Sequence, residues 1–198
     1  MNLDITQIRK YITMHYSDNL IIPEKVFNIY TTSLQAEQIN KIIKNYIDYN
    51  STITDATACI GGNSVYFLKD FKKVIMVEPN IENFSILKMN TYCRGDHFNC
   101  SYNNIKYILR QDIVYFDPPW GGADYKSKKK IDLYLDNINI IEIINEIYNH
   151  ARIVALKVPN NFNFVRITNN FWNHKIYNII KNKKCITNWL SFPKNKQT

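Results

Sequence analysis

Two rhythms of apolar residues alternate along the chain. Short unbroken runs read Ser51-Thr52-Ile53-Thr54, Lys73-Val74-Ile75-Met76-Val77, Asp112-Ile113-Val114-Tyr115-Phe116 and Ala151-Arg152-Ile153-Val154-Ala155-Leu156. The last three are rich in β-branched residues and lack strict alternation, the character of strands buried on both faces of a parallel sheet. Stretches at helical spacing separate them: 64–68, 80–92, and Ile138, Ile141, Ile144, Ile147 and Tyr148. Strand alternating with helix predicts a doubly wound α/β sheet. Upstream, Thr32-Ser33 opens a helix with Ile39, Ile42, Ile43 and Tyr46 on one face, and Gln35 three places after Thr32 predicts a capping box. An earlier helix is predicted through Ile5, Ile8 and Ile12. Downstream, the β-prone runs 175–180 and 185–192 flank Asn182-Lys183, which predicts an antiparallel hairpin closing the sheet edge. The expectation is one domain: a helical extension over 1–50, a core over 51–193, and a frayed tail over 194–198.

Composition narrows the classes. At 198 residues, 45% hydrophobic and 21% charged, the chain is neither wholly disordered nor a coiled-coil rod. Lys and Arg outnumber Asp and Glu 25 to 17, a formal charge of +8 that favours a polyanionic partner, nucleic acid first. Abundant Ile, Asn, Lys and Tyr are also what AT-rich codons produce, so the charge is discounted accordingly. Cys59, Cys93, Cys100 and Cys185, with His15, His97, His150 and His174, show no zinc-type spacing, and no metal site is expected. No run approaches the ~18 apolar residues of a membrane span, and MNLDITQIRK lacks the apolar core of a signal peptide. An intracellular, monomeric chain off the membrane is expected, in cytoplasm or nucleus.

Glycine is scarce, and four of the five glycines stand in two pairs, each beyond a predicted strand. Gly61-Gly62 lies in Asp55-Ala56-Thr57-Ala58-Cys59-Ile60-Gly61-Gly62-Asn63, between a strand and a helical stretch, where glycines let backbone approach a ligand. Neither GxGxxG nor GxxxxGKS is present, so dinucleotide and phosphate-clamping sites are poorly supported. Glu78 ends the next strand roughly 20 positions on, where nucleoside-cofactor folds hydrogen-bond a ribose diol. The pair points to S-adenosylmethionine (AdoMet), which carries ribose and adenine without phosphate. Gly121-Gly122 closes Asp117-Pro118-Pro119-Trp120-Gly121-Gly122. Consecutive prolines fix φ and present carbonyls with no competing amide hydrogen, and the following aromatic ring can lie against a base. Such acceptors suit methyl transfer to an exocyclic amine, whose lone pair they help free from the ring and hold in line with the methyl.

DATACIGGN, VEPN and DPPWGGADY, in that order and across nearly the whole chain, resemble the catalytic domain of the trimethylguanosine synthase family. The resemblance implies a Rossmann-like, seven-stranded methyltransferase sheet and AdoMet-dependent methylation of guanine N2 on an N7-methylated RNA cap. It implies a cofactor set of Asp55, Thr57, Gly61, Gly62, Asn63, Glu78, Pro79 and Thr32, the last from a short threonine-containing stretch, Tyr30-Thr31-Thr32-Ser33. Asp117, Pro118 and Trp120 would form the catalytic set. Trp120, Gly121, Tyr125, Lys126, Lys128 and Asn160 would contact the capped RNA, Asn160 from the loop Lys157-Val158-Pro159-Asn160-Asn161. Two residues depart from the family pattern: Asp117 stands for its usual serine and Ala123 for the proline after the glycine pair.

DPPW serves an adenine-N6 methyltransferase equally well, and an inactive cap-binding protein would keep the Trp120 platform. For the adenine edge of the cofactor, Ser101 and Asn103 are the candidates after the third strand. The run Lys126-Ser127-Lys128-Lys129-Lys130, close behind Trp120, is either solvated surface or a cluster for the cap's phosphates.

Overall fold

The computed structural model describes residues 20–27, 29–170, 175–181 and 184–193. After a 3-10 turn at Glu24–Val26 the elements are α1 (Ser33–Lys44), β1 (Thr52–Asp55), α2 (Ser64–Asp70), β2 (Lys73–Val77), α3 (Ile81–Asn90), β3 (Asp96–Phe98), α4 (Tyr102–Ile105) and β4 (Ile113–Phe116). A second 3-10 turn, Ala123–Ser127, precedes β5 (Tyr134–Leu135), β6 (Ile138–Asn139), α5 (Ile140–Ile147), β7 (Ile153–Pro159), α6 (Val165–Asn170), β8 (Lys175–Lys181) and β9 (Lys184–Pro193).

Every residue of β4 and β7 is buried, so each strand needs cover on two faces. Ile113 and Tyr115 pack with Val74, Met76 and Ile153 beneath Ile39 and Ile43 of α1 and Phe67 of α2. Val114 and Phe116 point the other way, with Ile75, Val77, Val154 and Leu156, against Ile140, Ile143, Ile144 and Ile147 of α5. The period-2 alternation of the strands thus serves two apolar layers at once. The seven-stranded sheet has the order β3-β2-β1-β4-β7-β9-β8. Its first five strands are parallel and the β8–β9 hairpin is antiparallel, as the apolar pattern predicts. The chain reverses its direction of winding between β1 and β4, and ligands of open α/β sheets bind beyond the carboxyl ends of strands at such a switch.

Three features depart from the expectation. The apolar pattern marks no range for the edge strand β3, which the resemblance alone implies, and does not announce the β5–β6 hairpin. The hairpin turns on Asp136 and Asn137, both at positive φ (53° and 64°), and Asn139 caps α5, so that helix starts after Ile138 rather than at it. β7 runs on to Pro159, which places Lys157 inside a strand and not in a loop. The expected helix through Ile5, Ile8 and Ile12, the hairpin tip Asn182-Lys183 and the tail 194–198 lie outside the described residues.

The segment ahead of α1 is fastened to the core. Ile22 and Val26 pack on Ile60 and Ile86. The Asn90 side chain accepts from the Ile21 amide at 2.7 Å and donates to the carbonyls of Ile21 (3.1 Å) and Ile60 (2.7 Å). No helix among the described residues is long and apolar enough to cross a membrane.

Candidate active site

Asp55 ends β1 and is 1% exposed. Its Oδ2 accepts from the Ser64 hydroxyl at 2.6 Å, while its Oδ1 is buried with no partner among the described residues. Burial pushes this carboxyl up to about 7; hydrogen bonds from Ser64 and the Thr57 backbone offset part of the rise, and Asp117 and Glu78 add to it. Glu78 lies one strand over, also buried, and burial raises it too. Its carboxylate accepts the Cys59 amide at 3.0 Å and the Asn80 amide at 2.8 Å, which ties the tip of β2 to the loop after β1. Pro79 is exposed beside it. The glycine pair has a structural use as well. A Cβ on Gly62 would stand 2.9 Å from the Thr31 carbonyl oxygen, so Gly62 also makes room for the chain's own segment ahead of α1.

The base loop leaves β4 beside this cofactor loop. The Asp117 amide donates to Thr57 Oγ1 at 2.7 Å, which accounts for Thr57 as a tie between the two loops. Pro118 is buried and Pro119 exposed. Gly121 and Gly122 take φ of 88° and 73° with open space where a Cβ would stand, so their conformation alone demands glycine there. Trp120 is half-buried, edge-to-face with Tyr125 at 5.3 Å and 82°, and its Nε1 is buried with no partner among the described residues. Lys126, Lys128, Lys129 and Lys130 are all exposed.

Two residues outside the candidate set hold these parts together. Lys157, 4% exposed in β7, donates from Nζ to Asp117 Oδ2 at 2.7 Å and to Thr31 Oγ1 at 2.7 Å. The same ammonium lies 5.6 Å from the Trp120 ring centroid. The Thr31 hydroxyl donates to Asp117 Oδ2 at 3.1 Å and also accepts from Asn63 Nδ2 at 3.0 Å. Asp117 Oδ1 is left with no hydrogen bond among the described residues. Removing one partner of a buried ion pair costs about 3–5 kcal/mol, so this cluster fixes the base loop strongly.

Several expected positions shift by a residue. Thr31 enters the site, whereas Thr32 caps α1, its amide donating to Gln35 Oε1 at 3.4 Å as the capping box requires. Asn160 is exposed, whereas Asn161 Nδ2 donates to the carbonyls of Tyr125 (2.7 Å) and Lys128 (2.8 Å) and so anchors the far end of the base loop. Ser101 caps α4 and donates to Asp136, and Asn103 Nδ2 donates to the same carboxylate, so both are engaged by the β5–β6 turn. No group of three His, Cys, Asp or Glu among the described residues is placed to hold a metal ion.

The buried ionisable groups around the cofactor loop, Asp55 and Glu78, are acceptors, and Asp55 Oδ1 is buried without a partner among the described residues. That acceptor set fits AdoMet, which offers hydroxyl and amine hydrogens and a cationic sulfonium, and it opposes a phosphate.

Comparison with known proteins agrees with this geometry. The family model described as RNA cap guanine-N2 methyltransferase matches residues 50–189. A trimethylguanosine synthase of Schizosaccharomyces pombe is 26% identical over 163 residues, 75% of this chain and 65% of that protein. An uncharacterized protein of Acanthamoeba polyphaga mimivirus is 36% identical over 121 residues, 57% of this chain and 47% of that protein. The chain therefore spans about half to two thirds of the length of these curated relatives. A Thermus thermophilus 16S rRNA guanine-N2 methyltransferase, solved with AdoMet and guanosine, shares the fold at TM-score 0.65 and 12% identity, over 85% of this chain and 45% of that one. A tRNA methyltransferase of Methanocaldococcus jannaschii does so at 0.58 and 13%, over 94% and 58%. The matched stretch takes in β1 through most of β9 together with the cofactor and base loops, and the chain belongs to the RNA cap guanine-N2 methyltransferase family.

Proposed function

We propose that the chain transfers a methyl group from AdoMet to the exocyclic N2 of an N7-methylated guanine at an RNA cap. One observation carries the reading: the acceptor-lined cofactor loop and the Asp117-Pro118-Pro119-Trp120 loop are joined by the 2.7 Å bond from the Asp117 amide to Thr57. Bound AdoMet supplies the electrophilic methyl on a sulfonium. Asp55 accepts from the donors of the cofactor, and Glu78 from the ribose hydroxyls through the lone pairs its backbone partners leave unused. On the other side, Asp117 Oδ1 and the Pro118 carbonyl accept the hydrogens of the guanine amine and hold its nitrogen toward the methyl. Trp120 supplies a flat face for the purine. The exposed lysines behind it attract the phosphates of the cap as point charges.

A methyl-transfer assay with labelled AdoMet on m7GTP, capped RNA and an uncapped adenine-containing oligonucleotide tests this. Product on the cap substrates, with the added methyl on guanine N2 by mass spectrometry, supports the proposal. Product confined to adenine would assign the Asp117 acceptor to adenine N6 and overturn the cap assignment. Tight cap binding with no transfer in the presence of AdoMet would leave a binding protein.

A further inference from the structure

We infer that Lys157 is a specificity-determining residue which offsets the charge of Asp117, so that this ion pair adds little to the attraction of the base site for a cationic purine. The inference rests on the guanine reading above and deepens it. A carboxylate beside the base would favour the positively charged N7-methylguanine ring over neutral guanine. Asp117 is not such a bare carboxylate, because Lys157 Nζ stands 2.7 Å from its Oδ2 and is itself 4% exposed, out of reach of screening counterions. The ammonium also lies 5.6 Å from the Trp120 ring centroid. It thus draws on the same π-system that a cationic base would use.

A close ion pair has a weak field at the distance of a stacked base, and either charge alone has a strong one. The pair leaves Asp117 Oδ1 available as an amine acceptor while removing its long-range pull. Thr31 makes the arrangement specific: its hydroxyl bonds both members of the pair, so Lys157 has one seat. The distinction between methylated and unmethylated guanine then falls to stacking on Trp120 and to contacts other than the charge of Asp117.

The opposite signs of the two single substitutions separate this role from a merely structural one. Dissociation constants of m7GTP and GTP are measured by calorimetry for the full chain, for Lys157→Gln, for Asp117→Asn and for the double variant. Lys157→Gln, which unmasks the carboxylate, is expected to raise the m7GTP-to-GTP affinity ratio by about tenfold, from a unit charge within roughly a nanometre at intermediate dielectric. Asp117→Asn, which unmasks the ammonium, is expected to lower it by a similar factor. The double variant is expected to return to the wild-type ratio. If Lys157→Gln fails to fold, Asp117→Asn and the double variant still decide between the outcomes. Ratios that do not move, or that move in the same direction in both single variants, would overturn the inference and leave the cap reading intact. A wild-type chain that binds neither nucleotide would overturn both.

Discussion

Binding of AdoMet should expel a proton from Asp55 near neutral pH. The carboxyl is 1% exposed, burial pushes it up to about 7, and its Oδ1 has no partner among the described residues. Near pH 7 about half of the free protein then holds a proton there. A cationic ligand that uses Asp55 as an acceptor requires the ionised form and pulls that carboxyl back toward its ordinary range. Uptake is therefore accompanied by release of roughly half a proton at pH 7, rising toward one at pH 6 and falling toward none above pH 8, and affinity weakens by up to about tenfold per unit of pH below 7. Calorimetry in two buffers of different ionisation heat reads the proton number from the difference in apparent enthalpy. Identical enthalpies in the two buffers at pH 6.5, with AdoMet bound, would refute the role of Asp55. Asp55→Asn should abolish the release and weaken AdoMet by on the order of 1–3 kcal/mol. Stability carries the same signature in the absence of ligand. Between the unfolded value near 3.8 and about 7 the native state holds the proton and the unfolded chain does not, so stability falls as pH rises through that window. By pH 8 Asp55→Asn should be the more stable protein, by up to about 4 kcal/mol, and at pH 4 the gap should close.

Other substitutions test the rest of the site. Thr31→Val leaves Lys157 and Asn63 each short of an acceptor and should cost about 1–3 kcal/mol in urea unfolding, with Thr31→Ser close to wild type; equal stability of all three would refute the hub. Trp120→Ala should abolish methyl transfer while AdoMet affinity stays within a few-fold, since the cofactor contacts are assigned to Asp55 and Glu78; substantial turnover by the folded variant would remove Trp120 from the base site. Changing Lys126, Lys128, Lys129 and Lys130 to Gln should raise KM for capped RNA and flatten its salt dependence, with little change for the nucleoside. Equal effects on RNA and nucleoside would return the run to ordinary surface.

The strands that the apolar pattern announces are those with two faces to bury. β2, β4 and β7 each read as an unbroken apolar run ended by a polar residue or proline, because helices cover both sides. β3 pairs on one side only and consists of Asp96, His97 and Phe98, exposed or half-buried, so no apolar run marks it. The Asp136-Asn137 turn did carry a signal, since these residue types tolerate positive φ, but Ile138 fell in phase with the helix that follows. In the site, Asp55, Glu78, Asp117 and Trp120 were legible as local motifs at strand ends. Thr31 and Lys157 were not, because their meaning is a contact between residues 126 positions apart. One clue was present: a lysine inside the buried run IVALKVP must find an anionic partner, and Asp117 directly follows the strand that pairs with β7.

A hydroxyl offers one hydrogen and two lone pairs, and all three are committed at Thr31: the hydrogen to Asp117, the lone pairs to Lys157 and Asn63. The Thr31 hydroxyl is saturated by the protein, and it ties the parts of the candidate site together. The residues it joins come from the loop after β1, the loop after β4 and the interior of β7, three strands that lie side by side in the sheet. Thr31 itself belongs to the segment whose backbone Gly62 makes room for and whose start Asn90 fastens to α3. The family match begins only at residue 50, so this hub lies outside the matched stretch while bonding residues inside it. The segment ahead of α1 is therefore a working part of the site: without it a buried ammonium and a buried amide lose their common acceptor, and the carboxylate beside Trp120 loses one of the two donors that set its orientation.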